Sequence, residues 1–219
     1  MAPTLLAGTD EAGRGCIVGP LVICIAIAEA EVEADLKKIG AKDSKLLSPS
    51  ARERLYVKVR ELCKEVSCIY ITARELNEMM PHHSLNEIEA MKVAELLASM
   101  KHHPDLIIAD SPDTDAKRFE ARIRKYLKRD LLIKSEHKAD FNYPIVSAAS
   151  IIAKVERDGE IEKIKKEWGF DFGSGYTSDP RTIEFLKSNL HRPEVTKYLR
   201  DRWETMNRLK QRKLSDFGL

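Results

Sequence analysis

Leu5-Leu6-Ala7-Gly8-Thr9-Asp10-Glu11, followed after Ala12 by Gly13-Arg14-Gly15, is the stretch on which the fold turns. An apolar run this short, closed by two acids and a glycine turn, reads as a buried strand with its polar end at a rim. Ile17 to Ala28, rich in β-branched residues, reads as a second strand entered through that turn, so the pair is expected to form a hairpin. Working outward, Ser48-Pro49-Ser50 carries a helix-start signature, Arg52 to Lys64 continues it, and Val66 to Thr72 returns to strand composition. Arg74 to Met80 and Ser84 to Met100 read as helices separated at Pro81. Leu106 to Ala109, bounded by Pro104 and Pro112, reads as a central buried strand with Asp110 at its end. Lys117 to Lys128 reads as a helix and Leu131 to Lys134 as a brief strand. Tyr143 to Trp168 is a long helix with Pro144 in its first turn and Ser147, Ala148, Ala149, Ser150 and Ala153 as small residues for close packing on a sheet.

The order β-β-α-β-α-β-α-β-α implies an α/β protein in which helices flank a mixed sheet, with a helical appendage beyond the Gly-rich break at Phe172 to Tyr176. The expected division is a core over 1–171, a helical region over 172–210 and a tail over 211–219. A chain of 219 residues, 43% hydrophobic and 33% charged, has material for one large core and excludes disordered and collagen-like classes. No apolar run reaches the roughly 20 residues of a bilayer span, and the N-terminus lacks a basic signal region, so a cytoplasmic, membrane-free protein is expected. Cys16, Cys24, Cys63 and Cys68 lack a Cys-x-x-Cys spacing and are expected to be reduced, buried thiols.

The net charge of +2 conceals an asymmetry: bases dominate Arg181 to Lys213, and a second basic run occupies Lys117 to Arg129. Such runs either contact phosphates or form a solvated helix face, and both readings stand for the middle run. The adjacent histidines His82-His83 and His102-His103 diverge on a helix and make poor metal pairs; His137 lies near Asp140 without a pattern of its own.

The chemistry resides in the acids. Asp10 and Glu11 at the end of an apolar strand place at least one carboxylate at a rim or on a cation, because successive strand side chains leave opposite faces. Asp110 repeats the situation, and Asp140 precedes a helix start. Four carboxylates without a Cys/His set suit hard cations such as Mg²⁺ or Mn²⁺. Asp140 as a helix N-cap and Asp110 as a turn acid are the plainer alternatives. Gly13-Arg14-Gly15 lacks the Gly-Lys-Ser/Thr of a Walker loop and the third glycine of a dinucleotide fingerprint, which removes nucleotide cofactors.

Gly8 to Gly15 with Gly19-Pro20, Asp43 to Leu46, Asp110 after Ile107-Ile108-Ala109, Lys138-Ala139-Asp140 leading into Ser147 to Asp158, and Gly175 to Pro180 together resemble the ribonuclease HII family, in its archaeal branch. The blocks fall in the family's order across nearly the whole chain. The resemblance implies a ribonuclease H-like five-stranded mixed sheet flanked by helices, with a C-terminal helical region. It makes Asp10, Glu11, Asp110 and Asp140 the catalytic, metal-binding acids. It implies an endonuclease that cleaves the RNA strand of RNA/DNA hybrids and nicks duplex DNA 5′ of an embedded ribonucleotide, leaving 3′-hydroxyl and 5′-phosphate ends. Two divalent ions about 4 Å apart would serve the scissile phosphate. Gly13, Arg14 and Gly15 would read the 2′-hydroxyl that separates RNA from DNA. Tyr176 would stack on the sugar after the junction, and Lys45 and Ser44 would meet phosphates. A packing aromatic and a solvated loop lysine are the alternatives for Tyr176 and Lys45, and Arg157-Asp158 reads as a structural ion pair.

Gln211, Leu214 and Phe217 match the spacing of peptides that dock on a DNA sliding clamp, although Gly218 stands where a second aromatic is usual; a frayed tail is the alternative. Two other functions compete. A resolvase or transposase core would use similar acids but lacks the Gly-Arg-Gly and Tyr176 blocks together. The enzyme is expected to be a monomer; a silent nucleic-acid-binding module would use the acids as caps and the basic tail as a phosphate grip.

Overall fold

A computed structural model describes residues 4–41 and 47–215, the last five of these by backbone alone. Five strands, β1 (Leu5–Ala12), β2 (Leu21–Glu29), β3 (Glu65–Ile71), β4 (Leu106–Asp110) and β5 (Leu132–Glu136), form one sheet in the order β3-β2-β1-β4-β5. The described helices are α1 (Val32–Lys38), α2 (Pro49–Leu62), α3 (Ala73–Met79), α4 (Leu85–Ser99), α5 (Ala116–Tyr126), α6 (Ala139–Asn142), α7 (Pro144–Trp168), α8 (Pro180–Asn189), α9 (Pro193–Thr196) and α10 (Glu204–Ser215). β1 pairs antiparallel with β2 and parallel with β4, and β4 pairs parallel with β5. The sheet is therefore mixed, and the hairpin and the central strand take their expected places.

Local signals account for most boundaries. Ser48 caps α2, accepting from Ala51 N–H at 3.3 Å, with Pro49 at the first turn where its missing donor does no harm. Thr72 and Glu75 form a reciprocal capping box at α3, and Ser84 caps α4. Two elements escaped the sequence pattern: α1 buries only Leu36, and α6 is a single turn. The second strand was expected from Ile17 but begins at Leu21. Gly19 takes a φ of +90° and Pro20 donates no hydrogen bond, which ends the extended run; Ile17 and Val18 instead donate their N–H groups to Gly175 O.

The chain resolves into two compact units. The first comprises residues up to Ala12, Val22–Ile69 and Ser84–Glu156, and the second comprises Gly13–Leu21, Tyr70–His83 and the chain from Arg157 on. In the first, α7 lies against the sheet through side chains that are wholly buried, Ile145, Ala148, Ala149, Ile152 and Ala153 among them. Small residues permit this approach, and Gly8 completes it: a Cβ there would stand 2.4 Å from Ile145 C and O. In the second, Trp168, Phe172 and Phe185 form an aromatic cluster, with Trp168 stacked on Phe185 at 5.2 Å.

The expected reduced state of the cysteines holds for Cys16 and Cys63, which are free and buried, and fails for the other two: Cys24 and Cys68 form a disulfide. Their strands are neighbours in the sheet, which brings the Cα atoms to 4.1 Å across 44 residues of sequence, a proximity that Cys spacing does not reveal. Part of the middle basic run is tied down within the protein. Arg122 binds Glu87 and Asp113, and Lys125 and Tyr126 also bind Glu87, whose carboxyl is pulled down to about 2 by these hydrogen bonds, so α5 is clamped to α4 by charge. Near the C-terminus Arg181, Lys187, Lys197, Arg208 and Lys210 likewise pair with acids.

Candidate active site

Parallel pairing of β1 with β4, with Thr9 opposite Ala109, sets the carboxyl ends of two central strands side by side. Each ends in acid, Asp10-Glu11 on one and Asp110 on the other, at the edge where open α/β sheets bind ligands. Asp140 arrives from the segment after β5. Lys138 adopts a left-handed conformation, φ 56° and ψ 39°, and is the one non-glycine residue with positive φ among those described. That reversal turns Ala139 N–H onto Asp110 Oδ1 at 2.7 Å and buries Asp140 beside it. Lys138, not Asp140, occupies the N-cap of α6, so the capping alternative for Asp140 is set aside. A strained non-glycine residue held at this point costs on the order of 1–2 kcal/mol, which the surrounding contacts must offset.

Asp10 is the electrostatic centre. Burial pushes its carboxyl above the ordinary range; the Lys154 ammonium, the Ser150 hydroxyl and the N–H of Glu11, 2.7 Å from Oδ1, pull it back, and the negative Asp140 raises it again. Asp10, Asp110 and Asp140 are thus brought into one neighbourhood, and Glu11 follows Asp10 directly at the end of β1. Among the described residues no three acidic, His or Cys side chains close on a point as a finished metal cage. The donor chemistry nevertheless fits a hard divalent cation, since every candidate donor is a carboxylate oxygen and burial, with Asp140 close by, disfavours the charged form of Asp10. Lys154 and Ser150, four residues apart on α7 with Lys154 Nζ donating to Ser150 Oγ, were missed from sequence. Their i,i+4 spacing on an otherwise small, apolar helix face was the available signal.

The remaining residues fall elsewhere. Gly13, with φ +87°, could not carry a side chain, because a Cβ would lie 2.7 Å from Pro20 O. At Gly15 a Cβ would lie 3.8 Å from the Tyr176 ring, and Cys16 bridges Tyr176 by backbone pairing, so the Gly-Arg-Gly turn and Tyr176 share one neighbourhood of the second unit. Burial pushes the Tyr176 hydroxyl up to about 12, which keeps it a neutral donor. Arg157 pairs with Asp158 at 3.0 Å as expected. Gln211 and Leu214 lie on the backbone of α10; Ser44, Lys45 and Phe217 are outside the described residues. His102 contacts Glu65 and His137 is exposed in the turn before α6.

A family model described as Ribonuclease HII matches residues 7–206. The chain belongs to the ribonuclease HII family. Ribonuclease HII of Pyrococcus horikoshii is 45% identical over 208 residues, covering 94% of this chain and 93% of the relative. That of Archaeoglobus fulgidus is 42% identical over 212 residues, covering 96% and 99%. The crystal structure of the ribonuclease H2 from Pyrococcus horikoshii superposes with a TM-score of 0.85, at 45% identity, over 95% of this chain and 98% of the other. The structure of the PCNA:RNase HII complex from Archaeoglobus fulgidus gives 0.85 at 42% identity, over 97% and 100%. A ribonuclease HIII, described as Bst-RNase HIII in complex with Mn²⁺, shares the fold alone, with a TM-score of 0.79 at 19% identity over 94% and 69%. Family membership makes this ribonuclease HII relative a metal-dependent nuclease hydrolase with a ribonuclease H-like sheet. No described helix is long and apolar enough to cross a membrane.

Proposed function

We propose that this ribonuclease H endonuclease cleaves the RNA strand of RNA/DNA hybrids and nicks 5′ of single ribonucleotides embedded in duplex DNA, leaving 3′-hydroxyl and 5′-phosphate ends. The observation that carries the reading is the grouping of Asp10 and Asp110 at adjacent strand ends with Asp140 of α6 beside them, and a Gly-Arg-Gly turn follows β1 directly in the chain. In this reading Asp10, Glu11, Asp110 and Asp140 hold divalent Mg²⁺ or Mn²⁺; the Mn²⁺ complex of the ribonuclease HIII relative supports that choice. Two such ions supply activation of the attacking water and neutralisation of charge at the departing oxygen.

The chain's own residues then divide the work. Asp110 keeps Ala139 and, through it, Asp140 in place. Lys154 balances the buried negative charge on Asp10. Backbone N–H groups of Gly13, Arg14 and Gly15 read the ribose 2′-hydroxyl, because glycines on both sides of Arg14 let a sugar approach the main chain. Tyr176 receives the following sugar on its ring, and Ser44 and Lys45 meet phosphates. The catalytic core is assigned to 1–171 and substrate binding to 172–210. The protein acts as a cytoplasmic monomer.

The decisive experiment presents the protein, with Mg²⁺, to a DNA duplex carrying one ribonucleotide and maps the cut. A single nick 5′ of the ribonucleotide, with none in the all-DNA duplex, is expected; cleavage of both duplexes would point to a resolvase-like nuclease instead.

The tail supports a second partner. Gln211, Leu214 and Phe217 are proposed to dock on a DNA sliding clamp, a reading supported by the complex that the Archaeoglobus fulgidus relative forms with PCNA. Removing residues 211–219 is expected to weaken binding to an archaeal clamp by tenfold or more, roughly the loss of one anchoring side chain's contribution, and to leave nuclease activity intact. Clamp affinity unchanged by the truncation rejects the assignment.

A further inference from the structure

Arg157 is 3% exposed, and a buried guanidinium needs partners for its charge and its donors. Apart from its neighbour Asp158, its partners among the described residues come from two segments. Nη2 donates to Cys16 Sγ at 2.8 Å, immediately after the Gly-Arg-Gly turn, and to Ser174 O in the loop that carries Tyr176. The guanidinium carbon lies 4.5 Å from the centre of the Tyr176 ring, a cation–π contact. Both segments make room for it with glycine. A Cβ on Gly13 would stand 3.3 Å from Arg157 Cγ and 3.5 Å from Nε, and one on Gly175 would stand 3.2 Å from Nη2. Nε itself is sealed from solvent without an acceptor, so the side chain has been placed for its fork and its flat face, not for complete hydrogen bonding.

We propose that Arg157 is a positioning residue for substrate selection, fixing the spacing between the Gly13-Arg14-Gly15 turn and the Tyr176 ring. This rests on the reading above, in which the turn takes the ribose and Tyr176 the sugar that follows it. A guanidinium wedged between the two acts as a spacer. It matters most where one sugar is ribose and the next deoxyribose, because both readers must then engage at one step. A uniform hybrid presents ribose at every step and gains little from the ring.

The test compares Arg157→Met with the unaltered protein on two substrates, a duplex with one ribonucleotide and a uniform RNA/DNA hybrid, and repeats the pair in a Tyr176→Ala background. R157M is expected to lower kcat/KM on the single-ribonucleotide duplex by about tenfold or more and on the hybrid by no more than about threefold, since small misplacements of recognition groups carry large kinetic penalties. In the Tyr176→Ala background R157M is expected to leave the substrate ratio where Y176A put it, the non-additivity of residues acting as one unit. Equal losses on both substrates, or losses that add to those of Y176A, overturn the proposal in favour of a merely structural arginine. Arg157→Lys retains charge but lacks the fork and serves the same comparison if R157M does not melt cooperatively; failure of both variants to fold also overturns it. If the unaltered protein does not nick at a single ribonucleotide, the functional reading fails. If it nicks and R157M keeps the ratio, only the role of Arg157 fails.

Discussion

Asp110→Asn and Asp140→Asn are each expected to lower kcat by on the order of 10²–10³-fold or more while leaving duplex binding nearly unchanged, the loss associated with removing a group that stabilises developing charge. The amide is the informative replacement. It keeps the side chain's volume, and at position 110 its oxygen still accepts from Ala139 N–H, so the link at 2.7 Å survives and only the charge is removed. At position 140 the substitution removes a negative neighbour that raises the Asp10 carboxyl, which relieves repulsion in the folded protein. Thermal stability is therefore expected to hold or rise as activity disappears, as at sites where function is bought against stability. Single-turnover cleavage, anisotropy of a labelled duplex and a melting curve separate the outcomes. Retained cleavage in both variants would reduce these acids to structural roles, whereas an unaltered protein that binds the duplex without cutting it would revive the silent binding module. Lost cleavage accompanied by lost stability would return Asp110 to a turn acid whose importance is local.

Asp10 and Asp110 stand out in the sequence for a physical reason. Acids at the ends of apolar strands contradict their surroundings, and such contradictions concentrate where function requires them. The same logic located β1, β4 and the small-residue face of α7, because a continuous apolar run and a stripe of Ser and Ala each have few structural uses. What escaped was long-range. Ile17 and Val18 have strand composition, yet their N–H groups find Gly175 O, more than a hundred and fifty residues away in the chain, and local propensity cannot register that. Cys24 and Cys68 meet because β2 and β3 are neighbours, a fact of topology. The ion pairs that tie part of the basic run on α5 were not legible, because the acidic partners, Glu87 and Asp113, come from α4 and from the loop before α5. Arg157 was read through Asp158, its neighbour in sequence, when its principal contacts are Cys16, Ser174 and Tyr176.

Gly8→Ala is expected to destabilise the protein by about 3 kcal/mol, the upper range for forcing a methyl group into a packed interior, and so to lower Tm by roughly 6–12 °C for a chain of this size. The obstruction is backbone: the new Cβ would lie 2.4 Å from Ile145 C and O and 2.5 Å from Val146 N, none of which can swing away as a side-chain end can. Relief requires that β1 and the start of α7 separate. α7 also carries Ser150 and Lys154, whose hydroxyl and ammonium hold down the Asp10 carboxyl two residues beyond Gly8, so G8A is expected to lose activity beyond its loss of stability. Gly159→Ala, within α7, is the matched control. A Cβ at Gly159 meets nothing within 4 Å, and alanine's higher helix propensity should stabilise by up to about 1 kcal/mol. The two substitutions add the same methyl group, so opposite signs in the melting curves isolate the close approach of helix to strand as the cause. Equal Tm values for G8A and the unaltered protein would mean that α7 does not rest on β1 at Gly8, and the placement of Lys154 beside Asp10 would lose its support.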